Sequence, residues 1–242
     1  MPSHDARRPE AHIRLDKVLD AARVVSERMK IPAEMITLHG RLRDATLPQG
    51  ATLQGPGQHT LRWGAFMLAY APLEAFFNAV LPPTDNRPMP LNVDKIRQMA
   101  QREHDVSLFT KRWSLCTLVP PTAPENGQYC EWRRYRGTEE TRTYLADMKS
   151  LRDRLSHGAD PFSATNRSGA MWSTQKGPSL RMMGVEGFLQ ASCDLVTHTI
   201  EAYGGAIEQV PAWPRPDRFE GMPPLPPDGH TFRTPLHSKS EG

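Results

Sequence analysis

The apolar positions of this chain recur mainly with the period of an α-helix. Between residues 141 and 158 they recur at steps of four, three and four, which places them on one face of a helix. These positions are Tyr144, Met148, Leu151 and Leu155. Gly158 predicts the end of this helix, because glycine adopts the left-handed conformation that closes helices. Asp160-Pro161 then prevents continuation, because proline restricts both itself and the residue before it.

Four other segments have helical periodicity. In chain order they cover about residues 11–29, 61–81, 93–100 and 185–203. Ile31-Pro32 predicts the end of the first. The second is the most apolar part of the chain and is therefore expected to be the central core helix, with a kink at Pro72. Asn92 or Asp94 could cap the third, and Gly204-Gly205 ends the last.

Two regions depart from the helical pattern. Residues 113–119 read as an extended segment, and residues 129–136 may pair back on it as a hairpin arm. From Pro211 onward the chain is Pro-rich and polar, which predicts disorder because such a segment buries too little apolar surface to offset its ordering entropy.

These elements predict a mainly α fold, an up-and-down helical bundle with long loop or partly β insertions. The predicted organisation is a flexible N-terminus (1–10), a single helical domain (11–205) and a Pro-rich, disordered tail (206–242). Insertions are predicted near residues 33–58 and 105–137.

Composition adds little to the functional interpretation. Of the 242 residues, 38% are hydrophobic and 23 are proline, which favours a modest core with long irregular segments. The formal net charge of +3 permits an anionic partner without requiring one. An odd number of cysteines without metal-ligand spacing (Cys116, Cys130 and Cys193) is typical of a reducing compartment. The chain has neither a signal-peptide core nor an apolar run of about 20 residues, so a cytoplasmic protein without a membrane partner is expected.

The candidate chemistry lies at the end of the helix over 141–158. A P-loop, a nucleophile elbow, a His-Glu-x-x-His helix and a paired-cysteine metal site are all absent from the sequence, and neither metal nor cofactor is expected. What remains is a cluster formed by Arg152, Asp153, Arg154 and His157. Arginine can hold a phosphate with a fork of N–H donors, and histidine can exchange a proton near neutral pH. Together they could cleave a phosphodiester without a metal.

The run Arg152-Asp153-Arg154-Leu155-Ser156-His157 resembles the Arg-polar-x-x-x-His motif of HEPN (higher eukaryotes and prokaryotes nucleotide-binding) domains. The apolar helix before it and the amphipathic helix after it are also similar to that family. The resemblance implies a helical bundle that dimerises, an RNA partner and, in toxin–antitoxin or phage-defence systems, an antitoxin or other partner from a neighbouring gene. It further implies that Arg152 and His157 are the catalytic pair, with Asp153 as the polar supporting residue. Arg154 and Glu74 are predicted as further supporting residues of this site.

The motif by itself does not identify a catalytic pair, for two reasons. The spacing Arg-x(4–6)-His also occurs at Arg7/His12 and Arg97/His104, so only the context of Arg152/His157 selects that pair. On an ideal helix, side chains five residues apart point about 140° apart and lie about 7.5 Å apart along the axis. A two-fold dimer, or loosening of the helix before Gly158, would have to bring them together. The alternative is that the arginines are solvated and that His157 only caps the helix end.

Two further features have competing interpretations. Glu74 lies inside the most apolar helix, where it should find a partner or face water; a structural ion pair is favoured over a catalytic role. One segment interleaves aromatic residues with arginines, as a single-strand-binding surface would, at Tyr129, Trp132, Arg133, Arg134, Tyr135 and Arg136. Trp132, Arg133 and Arg134 are its candidate RNA-binding residues. A hairpin with one packed and one solvated face would have the same pattern, and we favour it.

The leading hypothesis is a metal-independent HEPN-type endoribonuclease that acts as a homodimer, as a toxin or phage-defence effector. The second is a catalytically inactive HEPN-like module that binds RNA, a nucleotide or a protein. The third is a plain helical interaction protein.

Overall fold

A computed structural model describes residues 7–44, 56–81, 90–108, 110–122, 129–217 and 234–235. This part of the chain is mainly helical, with small strand pairs. Its helices are α1 (Arg7–Asp44), α2 (Pro56–Val80), α3 (Val93–His104), α4 (Gly137–Ser156) and α5 (Met182–Ala202). Its strands are β1 (Ser114–Val119), β2 (Glu131–Arg136), β3 (Trp172–Thr174), β4 (Gly177–Ser179), β5 (Pro214–Arg215) and β6 (Thr234–Pro235). Short 3-10 turns lie at Thr110–Arg112, Pro161–Ser163 and Ile207–Gln209.

The predicted end of the first helix at Pro32 is wrong, because α1 continues through this proline to Asp44. A proline in a helix removes one hydrogen bond, but packing on both sides of it can offset that loss. Met29, Ala33 and Ile36 are all buried, and they pack in the main core with α2. Residues 33–44 of the predicted insertion at 33–58 are therefore helical, and residues 45–55 lie outside the described residues.

The central helix is α5, and not α2 as the hydropathy pattern predicts. Nearly every residue of α5 from Met182 to Ile200 is buried, including Gln190 and Asp194. Asp194 is tolerated because it accepts hydrogen bonds from the Cys116 N–H (2.7 Å) and from Gln190 Nε2 (2.8 Å). Polar residues satisfied in this way made the helix look less buried than it is.

The predicted hairpin is confirmed. β1 pairs antiparallel with β2, with Ser114 opposite Arg136 and Val119 opposite Glu131. Five of the six β1 residues are buried, because this strand packs against α5. The hairpin is thus part of the core, and it feeds directly into α4.

The sequence predicts a disordered tail from residue 206 onward, but residues 206–217 are packed against the helical domain. Trp213 is buried, and its indole N–H donates to the Leu189 carbonyl at 3.1 Å. Ser26 donates to the Ala212 carbonyl, and Arg41 pairs with Asp217 at 2.8 Å. Residues 206–217 therefore pack on α1 and α5, and β5 pairs in parallel with β6. The remaining tail positions lie outside the described residues.

Candidate active site

The end of α4 has the local structure that the sequence predicts. Tyr144, Met148 and Leu151 are buried, and Leu155 packs partly buried against the same core. The helix ends at Ser156, and His157 follows as its C-cap with φ −101° and ψ 9°. Gly158 has φ +63°, and the Ala159 N–H donates to the Arg154 carbonyl at 2.9 Å. The His157 N–H still donates to the Asp153 carbonyl at 3.1 Å, so the helix is intact up to its C-cap.

Arg152 points toward α2 and is held there by carboxylates. Its guanidinium forms an ion pair with Glu74, and it donates to Asp153 Oδ1 at 2.9 Å. It also lies over the Tyr70 ring, 5.4 Å from the centroid. The side chains of Arg152 and Glu74 are 27% and 16% exposed, so the pair is largely removed from water. The expectation that Glu74 finds an ion-pair partner is confirmed, and that partner is the candidate catalytic arginine.

The electrostatics keep these groups charged. Burial acts to lower the pKa of Arg152, but its hydrogen bonds with Glu74 and Asp153 outweigh burial and raise that pKa. Burial acts to raise the pKa of Asp153, but Lys149 and Arg152 outweigh it and lower that pKa. The pKa of Tyr70 is raised, by burial first and then by Glu74. Arg152 is therefore a fixed cation between two carboxylates over a neutral phenol.

Within the described part of the chain, the side chains of His157 and Arg154 are not held by carboxylates as that of Arg152 is. Both are exposed, and neither side chain has a hydrogen-bond or ion-pair partner among the described residues. No hydrogen bond joins Arg152 to His157 within the same part of the chain. One copy of the protein thus fixes the arginine against α2 and leaves the imidazole in solvent at the helix end.

The hairpin residues proposed as an RNA surface divide between two environments. Trp132 packs partly buried on a small apolar cluster with Leu118, Cys130 and Trp172. Arg134 Nη1 donates to Ser114 Oγ at 3.4 Å, while the exposed Arg133 lies over the Tyr135 ring at 5.1 Å. Arg133 and the buried Tyr135 share one face of β2, and Trp132 and Arg134 share the other, so neither face of this strand is wholly packed or wholly solvated.

A second group of cations, which the sequence analysis does not single out, lies at the other end of α2. We call it the basic aromatic cluster; its members are His59, Arg62, Trp63, Phe162, Lys176 and Arg181. They come from α2, the turn at 161–163, the β3–β4 turn and the N-cap of α5. Both regions lie on the α2 face that carries His59, Trp63, Phe66, Tyr70 and Glu74 at helical spacing, and the middle of this face, at Phe66 and Tyr70, is buried in the core. The only sequence signal was the local group His59, Arg62 and Trp63, because Phe162, Lys176 and Arg181 lie about 100 residues or more further along the chain.

Metal and membrane features are absent from the described part of the chain. None of its residues form a group of three or more His, Cys, Asp or Glu side chains placed to hold a metal ion. None of its helices has the length and apolarity needed to cross a membrane. Comparisons with protein-family models, with curated proteins and with solved structures found no match to this chain.

Proposed function

We propose that this protein is a metal-independent endoribonuclease with a HEPN-like helical bundle, in which Arg152 and His157 cleave RNA. The observation that carries the proposal is the placement of Arg152. A carboxylate from inside an apolar helix fixes its guanidinium, although removing both charges from water is costly. An exposed histidine, able to exchange protons, lies five residues further on at the same helix end.

The proposed reaction is an internal transesterification. His157 accepts the proton of a ribose 2′-hydroxyl, and the 2′-oxygen forms a bond to the adjacent phosphorus. The P–O5′ bond breaks, and the imidazolium returns the proton to the 5′-oxygen. Arg152 stabilises the charge that develops on the phosphoryl oxygens. The products carry a 2′,3′-cyclic phosphate and a 5′-hydroxyl.

The proposal includes a two-fold homodimer. Within one copy, Arg152 faces α2 and His157 faces solvent, so a single helix end does not direct both groups at one phosphate. A closed two-fold contact between α4 ends would place His157 of a second copy beside Arg152. The proposed setting is a cytoplasmic toxin or phage-defence effector whose antitoxin or other partner is encoded nearby.

The test is cleavage of single-stranded RNA by purified protein in EDTA. Wild type should cleave and leave the two predicted ends. His157→Ala and Arg152→Lys should each lower the rate at least about 100-fold, because lysine keeps the charge but lacks the planar fork. Arg28→Ala is the charge-matched control, since Arg28 is exposed on α1 and forms no ion pair among the described residues. Equal cleavage by wild type and His157→Ala would refute the proposal.

The second candidate is a catalytically inactive HEPN-like module. The observation that favours it is that two carboxylates, Glu74 and Asp153, already occupy the guanidinium of Arg152. In that case RNA, nucleotide or protein binding persists and cleavage is absent in wild type. Growth arrest and RNA degradation on expression of wild type, lost with His157→Ala, would exclude it.

A further inference from the structure

The basic aromatic cluster joins three distant parts of the chain through ring contacts. The His59 ring lies 5.2 Å from that of Trp63 and 5.6 Å from that of Phe162, and the last two rings are 5.7 Å apart. Lys176 Nζ lies 5.8 Å from the centre of the Phe162 ring. Arg181 lies over Trp172 at 5.6 Å, just before α5 begins. The cluster is therefore a defined arrangement and more than a charged stretch of sequence.

Its positive charge is not balanced within the described part of the chain. Arg62, Lys176 and Arg181 take part in none of the ion pairs found there. Burial first, and then Arg181, lowers the pKa of Arg62. Burial first, and then Arg62 and Lys176, lowers the pKa of His59. These like charges lower one another's affinity for a proton because they repel, so the arrangement costs stability unless an anion joins it.

The backbone holds this arrangement in place. Gly177 has φ +125°, and a Cβ added there would lie 2.1 Å from the Phe162 carbonyl oxygen. Only glycine allows the β3–β4 turn to approach the turn at 161–163 so closely, and this approach sets Lys176 beside Phe162. Arg62 is anchored on α2, where its Nε donates to the Gln58 carbonyl at 3.0 Å. The His59 Nδ1 atom is buried without a hydrogen-bond partner among the described residues.

We propose that the basic aromatic cluster binds single-stranded RNA, with phosphates on Arg62, Lys176 and Arg181 and a base against Trp63 and Phe162. Unpaired cations set between partly exposed aromatic rings suit this ligand, because every nucleotide carries a phosphate and a π-face. An acidic peptide would form ion pairs with the cations but would not stack on the aromatic rings, so RNA suits the cluster better. A free nucleotide has the same chemistry as the RNA unit, so the experiment must separate the two.

This inference rests on the proposed function for its choice of RNA, and it adds a docking site remote from the cleavage pair. Arg62 and Glu74 are about 18 Å apart along the axis of α2, at about 1.5 Å per residue. Phe66 and Tyr70 lie between the two regions and are buried against Phe188, so a bound strand of several nucleotides would reach Arg152 over the surface outside this buried face. A mononucleotide would not span that distance.

The test is the affinity of the full chain for a fluorescent 2′-O-methyl RNA, which lacks the hydroxyl needed for cleavage. Arg62→Ala/Lys176→Ala should weaken binding at least about 10-fold. The slope of log affinity against log salt should become shallower by about 1.4, the value for two lost phosphate contacts with a single strand. Arg28→Ala/Lys95→Ala removes the same charge from exposed positions outside the cluster and should change the affinity less than twofold. Phe162→Leu should weaken binding with the salt slope unchanged, because it removes stacking and no charge.

Three results would overturn the inference. They are equal losses in the two double variants, an AMP affinity equal to that of the RNA, and tighter binding of an acidic peptide than of the RNA. Thermal melts of each variant separate loss of binding from loss of fold. Binding with no cleavage in wild type would refute the proposed function alone, while cleavage with no cluster-dependent binding would refute this inference alone.

Discussion

The two basic regions of this protein differ in how their charges are satisfied. At the α4 end, Arg152 lies between Glu74 and Asp153, and Asp153 also pairs with Lys149. In the basic aromatic cluster, Arg62, Lys176 and Arg181 have no acidic partner among the described residues. In the first arrangement two carboxylates fix one guanidinium. In the second, the positive charges repel one another without an acidic side chain in the described ranges to compensate. A fixed cation suits a reacting group, whereas unbalanced cations suit the docking of a polyanion.

The largest effect is expected from Gly177→Ala, which breaks the geometry of the basic aromatic cluster. The variant should lower the free energy of unfolding by about 3 kcal/mol, because it combines a strained positive φ with a clash against the Phe162 carbonyl. Gly158→Ala is the matched change at the α4 end, where a Cβ meets nothing within 4 Å. It should cost only the left-handed penalty of about 1 kcal/mol. Urea unfolding of both variants measures the difference, and equal losses would contradict the role of Gly177.

The next largest effect concerns the ion pair of Arg152. Arg152→Met leaves the mostly buried Glu74 carboxylate without its cation and should lower the free energy of unfolding by about 2 kcal/mol. Adding Glu74→Gln should restore part of that loss, with a coupling of about 1 kcal/mol in a double-mutant cycle. Arg62→Ala, which removes an unpaired cation instead, should change stability by less than about 0.5 kcal/mol. If Arg62→Ala lowered the free energy of unfolding as much as Arg152→Met does, the proposed difference in charge pairing between the two regions would be wrong.

The smallest effect is the titration of His59. Burial, Arg62 and Lys176 lower its pKa, so the native state binds fewer protons than the unfolded chain. The stability that this group contributes is therefore present above its unfolded pKa and is lost as the pH falls. Lys176→Ala should raise the pKa of His59, whereas Lys95→Ala should leave it unchanged. An NMR titration of the imidazole Cε1 proton measures both, and an unchanged pKa in Lys176→Ala would contradict the proposed proximity.

Local chemistry made much of the helical structure predictable. Asn92 accepts the Lys95 N–H at 3.0 Å and caps α3, one of the two caps that the sequence suggests. The periodic apolar face of α4 and the stop at Gly158 follow from the same kind of short-range rule. Glu74 was expected to need a partner because an apolar helix offers it no solvation.

The features that could not be predicted from the sequence are those that depend on packing between distant segments. Pro32 is tolerated because buried residues on both sides hold α1 together, and residues 206–217 are ordered because Trp213 enters the core. The members of the basic aromatic cluster come from positions 59–63, 162 and 176–181, so their convergence leaves no local motif. The partner of Glu74 was likewise not predictable, because it depends on how α4 packs against α2.

The most direct test of the account is the effect of His157→Ala on cleavage and binding of one RNA sequence. Single-turnover cleavage is measured in EDTA with the natural 2′-hydroxyl, and affinity is measured with its 2′-O-methyl form. The account predicts a cleavage rate at least about 100-fold lower with affinity within twofold of wild type, because the imidazole transfers protons and the cluster binds the strand. An unchanged cleavage rate in His157→Ala would contradict it.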